Sequence, residues 1–180
     1  DFETVPLVFM IHGLGGEGID FYNFSSLAED SCFMVVFPSG LFNTWNAGPS
    51  MPYAHEIDDN GYFDALIDNI ESNYPLDTNR VYLTGHSMGG FMASHLNCTS
   101  TSFTAYGGSG GGITHGYYQG NEYEDLCKIE NGTYPNPMII SHGTSDQVVP
   151  YEWAIFNLYH FKLLNNCSDN VPWPYDYPWP

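Results

Sequence analysis

Residues 85–89 carry a serine in a setting typical of a catalytic nucleophile, because Gly85-His86-Ser87-Met88-Gly89 reads G-x-S-x-G. An apolar run precedes this stretch and a helix-like run follows it. A serine on a tight strand-to-helix turn has its hydroxyl pushed out of the sheet, and the flanking residues are glycines because larger side chains would collide there. We therefore predict that Ser87 attacks a carbonyl carbon. A glycine–serine turn without chemistry is the alternative.

A second glycine-rich turn could stabilise the negative charge that such an attack creates. It comprises His12 to Gly16 and follows an early apolar run. A turn of this kind can aim a backbone N–H at a developing oxyanion, and the residue after the nucleophile supplies another. We predict an oxyanion hole formed by the N–H groups of Leu14 and Met88, with Gly15 as the alternative to Leu14. A plain strand-exit turn is the competing interpretation.

Asp146 is the candidate acid. It lies in a loop with His142, just after a predicted strand. A serine hydroxyl needs a base within hydrogen-bond reach and a third group that orients this base. The order serine, then acid, along the chain agrees with that role. The alternative is an aspartate that only braces its own loop.

Strands and helices alternate along the chain, which predicts a mostly parallel sheet with helical crossovers. Apolar runs predict strands at 5–11, 33–37, 81–84, 103–106 and 138–141. Helical periodicity predicts helices at 21–29, 58–74, 90–96 and 153–164. Functional residues of such a sheet gather at the carboxyl ends of its strands, where all three predicted site segments fall.

The length of 180 residues predicts one domain over 1–180. Its end, at 168–180, is an extended tail rich in proline, tryptophan and tyrosine. We expect this tail to cover a sheet edge or an apolar patch; a platform for a sugar or aromatic polymer is the alternative. The glycine-rich stretch 107–112 is either a flexible linker or a close-packed floor of the cleft.

The net charge is extreme: 3 Lys and Arg stand against 21 Asp and Glu, a formal −18. Such a field repels nucleic acid and anionic membranes and disfavours polyanionic substrates, although solubility alone would also explain it. No long uncharged apolar run predicts a membrane span. No cysteine pair has the spacing of a zinc site, so we expect no metal.

Cysteines and glycosylation sequons favour a secreted protein. Sequons start at Asn23, Asn97, Asn131 and Asn166. Among the four cysteines we favour a Cys98–Cys127 disulfide.

Several ordered stretches resemble the α/β-hydrolase esterases grouped with poly(3-hydroxybutyrate) depolymerases and feruloyl esterases. The stretches that carry the resemblance are Pro6–Gly16, 37–40, 44–48, 58–62, Tyr74–Gly90 and Ser141–Tyr151. The resemblance implies a three-layer α/β-hydrolase sandwich with a mostly parallel sheet, Ser87 as nucleophile, Asp146 as acid and an ester substrate. It also implies that Trp45 lies near the substrate cleft.

The resemblance also implies a catalytic histidine in a loop after a further strand, well beyond the acid. His160 is the sole histidine after Asp146, and it falls inside a predicted helix. The sequence therefore predicts a C-terminally shortened hydrolase. Three explanations stay open: the segment with the histidine was removed or lost, His55 or His142 takes its place, or the protein is a non-hydrolytic relic. A sheet without its last strand would expose an edge, which predicts a homodimer or coverage by the tail.

We expect a secreted serine carboxylic-ester hydrolase that needs no cofactor and forms an acyl-enzyme on Ser87. Its substrate would be a feruloyl, acetyl or polyhydroxyalkanoate-type ester, as part of a plant cell-wall or polyester polymer. Candidates for the substrate cleft are His12, Trp45, His86 and His142. The alternatives are a pseudo-esterase that binds polysaccharide or polyester, and a thioesterase or peptidase of the same fold.

Overall fold

Five parallel strands form the central sheet of the computed structural model, which describes residues 4–48, 51, 56–113, 117–118, 121–122 and 136–168. They are β1 (Val5–Ile11), β2 (Met34–Val36), β3 (Leu76–His86), β4 (Ala105–Ser109) and β7 (Met138–Ser141), in the spatial order β2-β1-β3-β4-β7. Two short antiparallel strands, β5 (Tyr117–Tyr118) and β6 (Asn121–Glu122), form a separate pair. The parallel sheet predicted from the alternating pattern is confirmed.

Four α-helices connect or flank these strands: α1 (Ser25–Ser31), α2 (Asp59–Asn73), α3 (Met88–Thr99) and α4 (Tyr151–Leu164). Two 3-10 helices, Gly18–Phe24 and Leu41–Asn43, lie in the loops after β1 and β2. Helix α2 begins where the Asp58 carboxylate accepts a hydrogen bond from the Gly61 N–H (2.8 Å), and it ends just before Pro75. This is the expected behaviour of an N-cap aspartate and of a proline that cannot continue a helix.

Aromatic side chains fill the core on the α2 side of the sheet. Phe9 of β1 meets Phe63 and Phe103 edge-on, with ring centroids 5.8 and 5.5 Å apart. Trp45 stacks on Phe63 at 5.5 Å. Edge-to-face and offset contacts of this kind stabilise a core beyond the apolar area that they bury. This cluster fixes the loop that carries Trp45 against the sheet, directly below the carboxyl end of β1.

The predicted elements exist, and most differ from the structure only at their ends. Strand β3 begins five residues before its predicted start, and β4 is shifted along the chain from 103–106 to 105–109. The predicted helix at 21–29 is part 3-10 helix and part α1. The glycine-rich stretch after β4 is close-packed: a Cβ on Gly111 would lie 2.8 Å from the Phe91 nitrogen. The linker interpretation of 107–112 is therefore wrong.

Strands β2 and β7 are the two edges of the described sheet, and Ile139 of β7 is 77% exposed. The tail from residue 169 onward lies outside the described residues, so its covering role and the homodimer stay predictions. Cys32 and Cys167 are free and exposed. Because Cys127 also lies outside the described residues, the favoured Cys98–Cys127 pairing stays a prediction. No helix in the described part of the chain is long and apolar enough to cross a membrane.

Candidate active site

Ser87 lies on a sharp bend between β3 and α3, with φ 52° and ψ −116°, a conformation that a residue with a side chain rarely adopts. The bend is held by backbone bonds: the Ser87 N–H donates to the Ser109 carbonyl (2.8 Å), and the Ser87 carbonyl accepts from the Phe91 N–H (3.1 Å). Two glycines permit the close packing. A Cβ on Gly85 would overlap the Gly89 carbonyl, and a Cβ on Gly89 would lie 2.7 Å from the His12 carbonyl oxygen.

The glycine-rich turn after β1 passes directly beside the nucleophile candidate. A Cβ on Gly13 would lie 3.2 Å from the Ser87 Cβ and 3.7 Å from its Oγ. The Gly15 N–H donates to the Asn43 carbonyl (2.8 Å), so it is already engaged. The N–H groups of Leu14 and Met88 donate to no group within the described residues. Of the two alternatives for the first oxyanion donor, this geometry favours Leu14 over Gly15.

Asp146 follows β7, and its own loop holds its carboxylate. Oδ1 accepts hydrogen bonds from the N–H groups of Val148 and Val149, each at 2.9 Å. These two bonds hold the pKa of Asp146 below its ordinary value, and the nearby His142 and His86 act in the same direction. The carboxylate is therefore ionised at neutral pH, as a group that orients a base must be. Asp146 can brace its own loop through Oδ1 and still orient a base through Oδ2, because neither of these two bonds uses Oδ2.

Two histidines lie next to Asp146. The Nε2–H of His142 donates to the Val149 carbonyl (2.7 Å) and lies 3.6 Å from Asp146 Oδ2. His86 lies near the same carboxylate without a hydrogen bond to it: a Cβ on Gly110 would lie 3.4 Å from His86 Cε1 and 3.7 Å from Asp146 Oδ2. Ser87 Oγ makes no hydrogen bond with any described residue. The structure thus brings the acid and two histidines together, and it places neither imidazole in hydrogen-bond contact with the serine.

Three of the four cleft candidates occupy buried, supporting positions instead. The His142 side chain is 1% exposed, and its Nδ1 has no hydrogen-bond partner among the described residues. His12 is buried, with Nε2 accepting from the Gly40 N–H (2.9 Å) and Nδ1–H donating to the Gly13 carbonyl (2.7 Å). Trp45 is fully buried, and its Nε1–H donates to the His12 carbonyl (2.9 Å). These side chains brace the site rather than line it, because no surface of theirs is open to a substrate. His86 alone is exposed, and His55 lies outside the described residues.

An apolar cavity of about 300 Å³ opens at Ser87. Its walls come from the turn after β1, the loop before α2, the bend at Ser87 with the first turn of α3, the loop after β7 and the start of α4. The lining residues are Leu14, Met51, Ser87, Met88, Phe91, Val148, Val149, Pro150 and Trp153. Phe91 and Trp153 meet edge-on with centroids 5.7 Å apart. A cavity of this size with one hydroxyl among apolar walls fits a small apolar group attached to the atom that Ser87 attacks. In the described part of the chain no cluster of His, Cys, Asp and Glu could hold a metal ion.

Most of these wall residues were not among the site residues predicted from the sequence. Phe91 lies one helical turn after Ser87, so its spacing carried a signal that it shares a face with the nucleophile. Val148 and Val149 follow the acid within the same strand-end loop, which is the other available signal. Trp153 has no such local signal, because its place depends on how α4 packs against α3. A hydrogen bond between buried side chains joins these two helices: the Asn157 amide of α4 donates to the Ser94 Oγ of α3 (3.0 Å).

Comparisons with known proteins find esterases among those that the chain is similar to. It is 30% identical over 178 residues to a probable feruloyl esterase C of Aspergillus terreus, covering 92% of this chain and 58% of that protein. It is 25% identical over 179 residues to a bifunctional acetylxylan esterase/xylanase of Neocallimastix patriciarum, covering 96% of this chain and 24% of that protein. No family model matches the sequence. The chain thus spans a little over half of the first relative's length and about a quarter of the second's.

The fold agrees with these relatives. The acetyl xylan esterase from Aspergillus awamori superposes with a TM-score of 0.74 at 18% sequence identity, over 94% of this chain and 73% of that one. The fold predicted by resemblance, an α/β-hydrolase sandwich, is confirmed, as is the predicted resemblance to feruloyl esterases. The resemblance to poly(3-hydroxybutyrate) depolymerases stays a prediction.

Proposed function

We propose that this chain is a serine carboxylic-ester hydrolase that acts through an acyl-enzyme on Ser87. The observation that carries the proposal is the position of Ser87: it lies on a strained bend at a cavity that is also lined by Leu14 and Met88, whose backbone N–H groups donate to no described residue. The esterase relatives support the same reaction class. Strained backbone of this kind persists where the surrounding structure enforces it, and it clusters at active sites.

In the proposed reaction, Ser87 Oγ attacks the ester carbonyl carbon while a base accepts its proton. The carbonyl oxygen becomes an oxyanion that accepts hydrogen bonds from the N–H groups of Leu14 and Met88. Collapse of this intermediate expels the alcohol, which takes up the proton, and leaves an acyl-serine ester. A water then repeats the attack, releasing the acid and restoring the serine. Removal of one oxyanion donor of this type costs about 10² to 10³ in rate.

Asp146 is proposed as the acid that orients the base, through its Oδ2 atom. The two backbone bonds to Oδ1 fix the carboxylate plane and keep the group ionised. The base is assigned by testing His55→Ala, His86→Ala, His142→Ala and His160→Ala beside the parent chain. Loss of the base removes most of the rate but leaves about 10³-fold over water from the oxyanion hole and binding. The variant that falls to this floor identifies the base.

The substrate class is a feruloyl- or acetyl-type ester, as the names of the two relatives suggest. The apolar cavity favours an apolar acyl group that contains a ring. An acetyl group would leave most of the 300 Å³ unfilled. A hydroxyalkanoyl group would bring a hydroxyl that finds no polar partner on the cavity walls. We therefore expect kcat/KM to be higher for a cinnamoyl-type p-nitrophenyl ester than for the acetate after correction for intrinsic reactivity. A polymer as the natural carrier and secretion belong to the same proposal, and a Cys98–Cys127 disulfide, if formed, would require an oxidising compartment.

The test is covalent labelling with a fluorophosphonate, which reacts with an activated serine. We expect stoichiometric labelling of the parent chain and none of Ser87→Ala. Ser72→Ala is the matched control, because Ser72 lies in α2 and bonds only to the Asp68 carbonyl (2.8 Å). Equal ester cleavage by the parent chain and Ser87→Ala refutes the proposal. Retained binding of a polysaccharide or polyester without labelling would instead support the pseudo-esterase alternative.

A further inference from the structure

A short segment after β2, residues 40–45, contacts both halves of the proposed oxyanion hole. The Gly40 N–H donates to His12 Nε2 (2.9 Å), and the Trp45 Nε1–H donates to the His12 carbonyl (2.9 Å). On the other side, the Thr44 hydroxyl donates to the Met88 sulfur (3.0 Å). We call residues 40–45 the bridging segment. It links the turn that carries Leu14 to the residue that follows the nucleophile.

Asn43 makes the two contacts closest to Leu14. Its carbonyl accepts from the Gly15 N–H (2.8 Å), which fixes the peptide unit between Leu14 and Gly15. Its side-chain amide donates to Glu17 Oε1 (3.2 Å) at the far end of the same turn. With His12 held from the preceding side, the chain on both sides of Leu14 is tied to the bridging segment. The Leu14 N–H belongs to the adjoining Gly13–Leu14 peptide, whose carbonyl accepts from the Gly16 N–H (3.1 Å), so the ties to the bridging segment act on its direction from the two flanking positions.

The backbone of the bridging segment is built for this contact. Phe42 and Asn43 both have a φ of 57°, in the left-handed region. Asparagine visits this region more readily than other residues with a side chain, because its short polar group can bond locally. Alanine has no such compensation, whereas glycine enters the region without steric cost. The residue type at position 43 therefore affects both the turn and the contact with Glu17.

We propose that Asn43 is a positioning residue for the oxyanion hole: it holds the Gly15 peptide and Glu17 so that the Leu14 N–H faces the carbonyl oxygen attacked by Ser87. This inference rests on the proposed function. Misplacement of a catalytic group by about 1 Å can cost about 10²-fold in rate. Because the oxyanion exists only in the transition state and intermediate, the loss falls on kcat rather than on KM.

The test compares Asn43→Ala and Asn43→Gly with the parent chain, and it uses Asn73→Ala as the matched control. Asn73 ends α2 near the amino end of β3, and its amide donates to the Asn69 carbonyl (2.7 Å). For Asn43→Ala we expect the rate constant of fluorophosphonate labelling and kcat to fall at least about tenfold, with KM within about threefold. For Asn43→Gly, which keeps the turn, we expect a smaller loss. Asn73→Ala should react at the parent rate.

Two readouts separate positioning from simple loss of folded protein. Irreversibly misfolded protein lowers the final fraction labelled, whereas mispositioning lowers the rate constant at an unchanged final fraction and an unchanged free energy of unfolding. Amide hydrogen exchange at Gly15 should also be faster in Asn43→Ala than in the parent chain. A labelling rate constant for Asn43→Ala within twofold of the Asn73→Ala value overturns the inference.

Failure of the proposed function has a different signature. If the parent chain labels no more than Ser87→Ala, the nucleophile assignment falls. The claim that Asn43 fixes the turn is then decided by exchange alone, and an unchanged Gly15 exchange rate in Asn43→Ala overturns it.

Discussion

Replacing Ser87 by glycine should stabilise the fold while it removes the nucleophile. Ser87 has a φ of 52° and a ψ of −116°, where a Cβ atom is strained against the backbone. Such conformations cost a residue with a side chain about 1 to 3 kcal/mol. Ser87→Ala removes the hydroxyl but keeps the Cβ, whereas Ser87→Gly removes both. The difference between these two variants isolates the strain.

The expected magnitude combines two opposing effects. Relief of strain favours glycine by about 2 kcal/mol, and the larger conformational freedom of the unfolded glycine chain opposes it by about 0.4 to 1 kcal/mol. Ser87→Gly should therefore have a free energy of unfolding about 1 kcal/mol above that of Ser87→Ala. For a chain of this length, this corresponds to about 2 to 4 °C in Tm. Urea unfolding followed by far-UV circular dichroism measures the difference.

The same substitution at an ordinary helical position should change stability in the opposite direction. Ala65 is exposed in the middle of α2. There, Ala65→Gly should lower the free energy of unfolding by about 1 kcal/mol, because glycine is a poor helix former. Opposite signs at positions 87 and 65 support strain at the elbow. A Ser87→Ala chain as stable as Ser87→Gly refutes the reasoning.

Three further predictions concern packing and pH. Gly89→Ala should lower the free energy of unfolding in urea by about 3 kcal/mol and abolish labelling, because the new methyl overlaps the Ile11 carbonyl. A Gly89→Ala chain as stable as the parent contradicts this packing. Asn157→Ala should lower the free energy of unfolding by about 1 to 3 kcal/mol, because it removes a buried hydrogen-bond partner of Ser94. A loss well below about 1 kcal/mol would show that this contact is dispensable. Burial lowers the pKa of His95 from 6.5 to about 4. Since the unfolded chain binds this proton at higher pH than the folded chain, stability should fall as the pH drops from about 6.5 towards 4. Between pH 7 and pH 5, the free energy of unfolding in urea should therefore fall less for His95→Gln than for the parent chain. An equal fall in both chains argues against a neutral His95 in the folded state.

The sheet could be predicted because its strands carry a local signal. Strands β1 and β3 contain apolar runs that are visible in the sequence. In the structure, fully buried residues alternate along these runs, such as Leu7 with Phe9 and Val81 with Leu83. The early start of β3 was missed because its first half is polar and exposed, as expected for a strand that extends beyond the core.

The elbow was predictable for a similar reason, whereas the roles of the supporting side chains were not. Glycines two residues before and two residues after Ser87 indicate that neighbouring backbone packs closely against this bend. Trp45 and His12 instead combine an apolar ring with a polar atom, so their types suit a cleft wall and a buried brace equally well. Only the tertiary contacts distinguish these roles: Trp45 is stacked on Phe63, and both ring nitrogens of His12 are occupied by backbone groups.

The proposed site depends on contacts between strand ends rather than on any single loop. Gly89 packs against the carbonyl groups of Ile11 and His12 at the end of β1, and Gly13 packs against Ser87 itself, so the proposed nucleophile and the proposed oxyanion turn are in direct contact. The acid is held differently, because Val148 and Val149 of its own loop occupy Oδ1. Oδ2 is consequently the carboxylate oxygen left to orient a base. Gly110 borders this oxygen, because a Cβ at position 110 would be in van der Waals contact with both Asp146 Oδ2 (3.7 Å) and His86 Cε1 (3.4 Å).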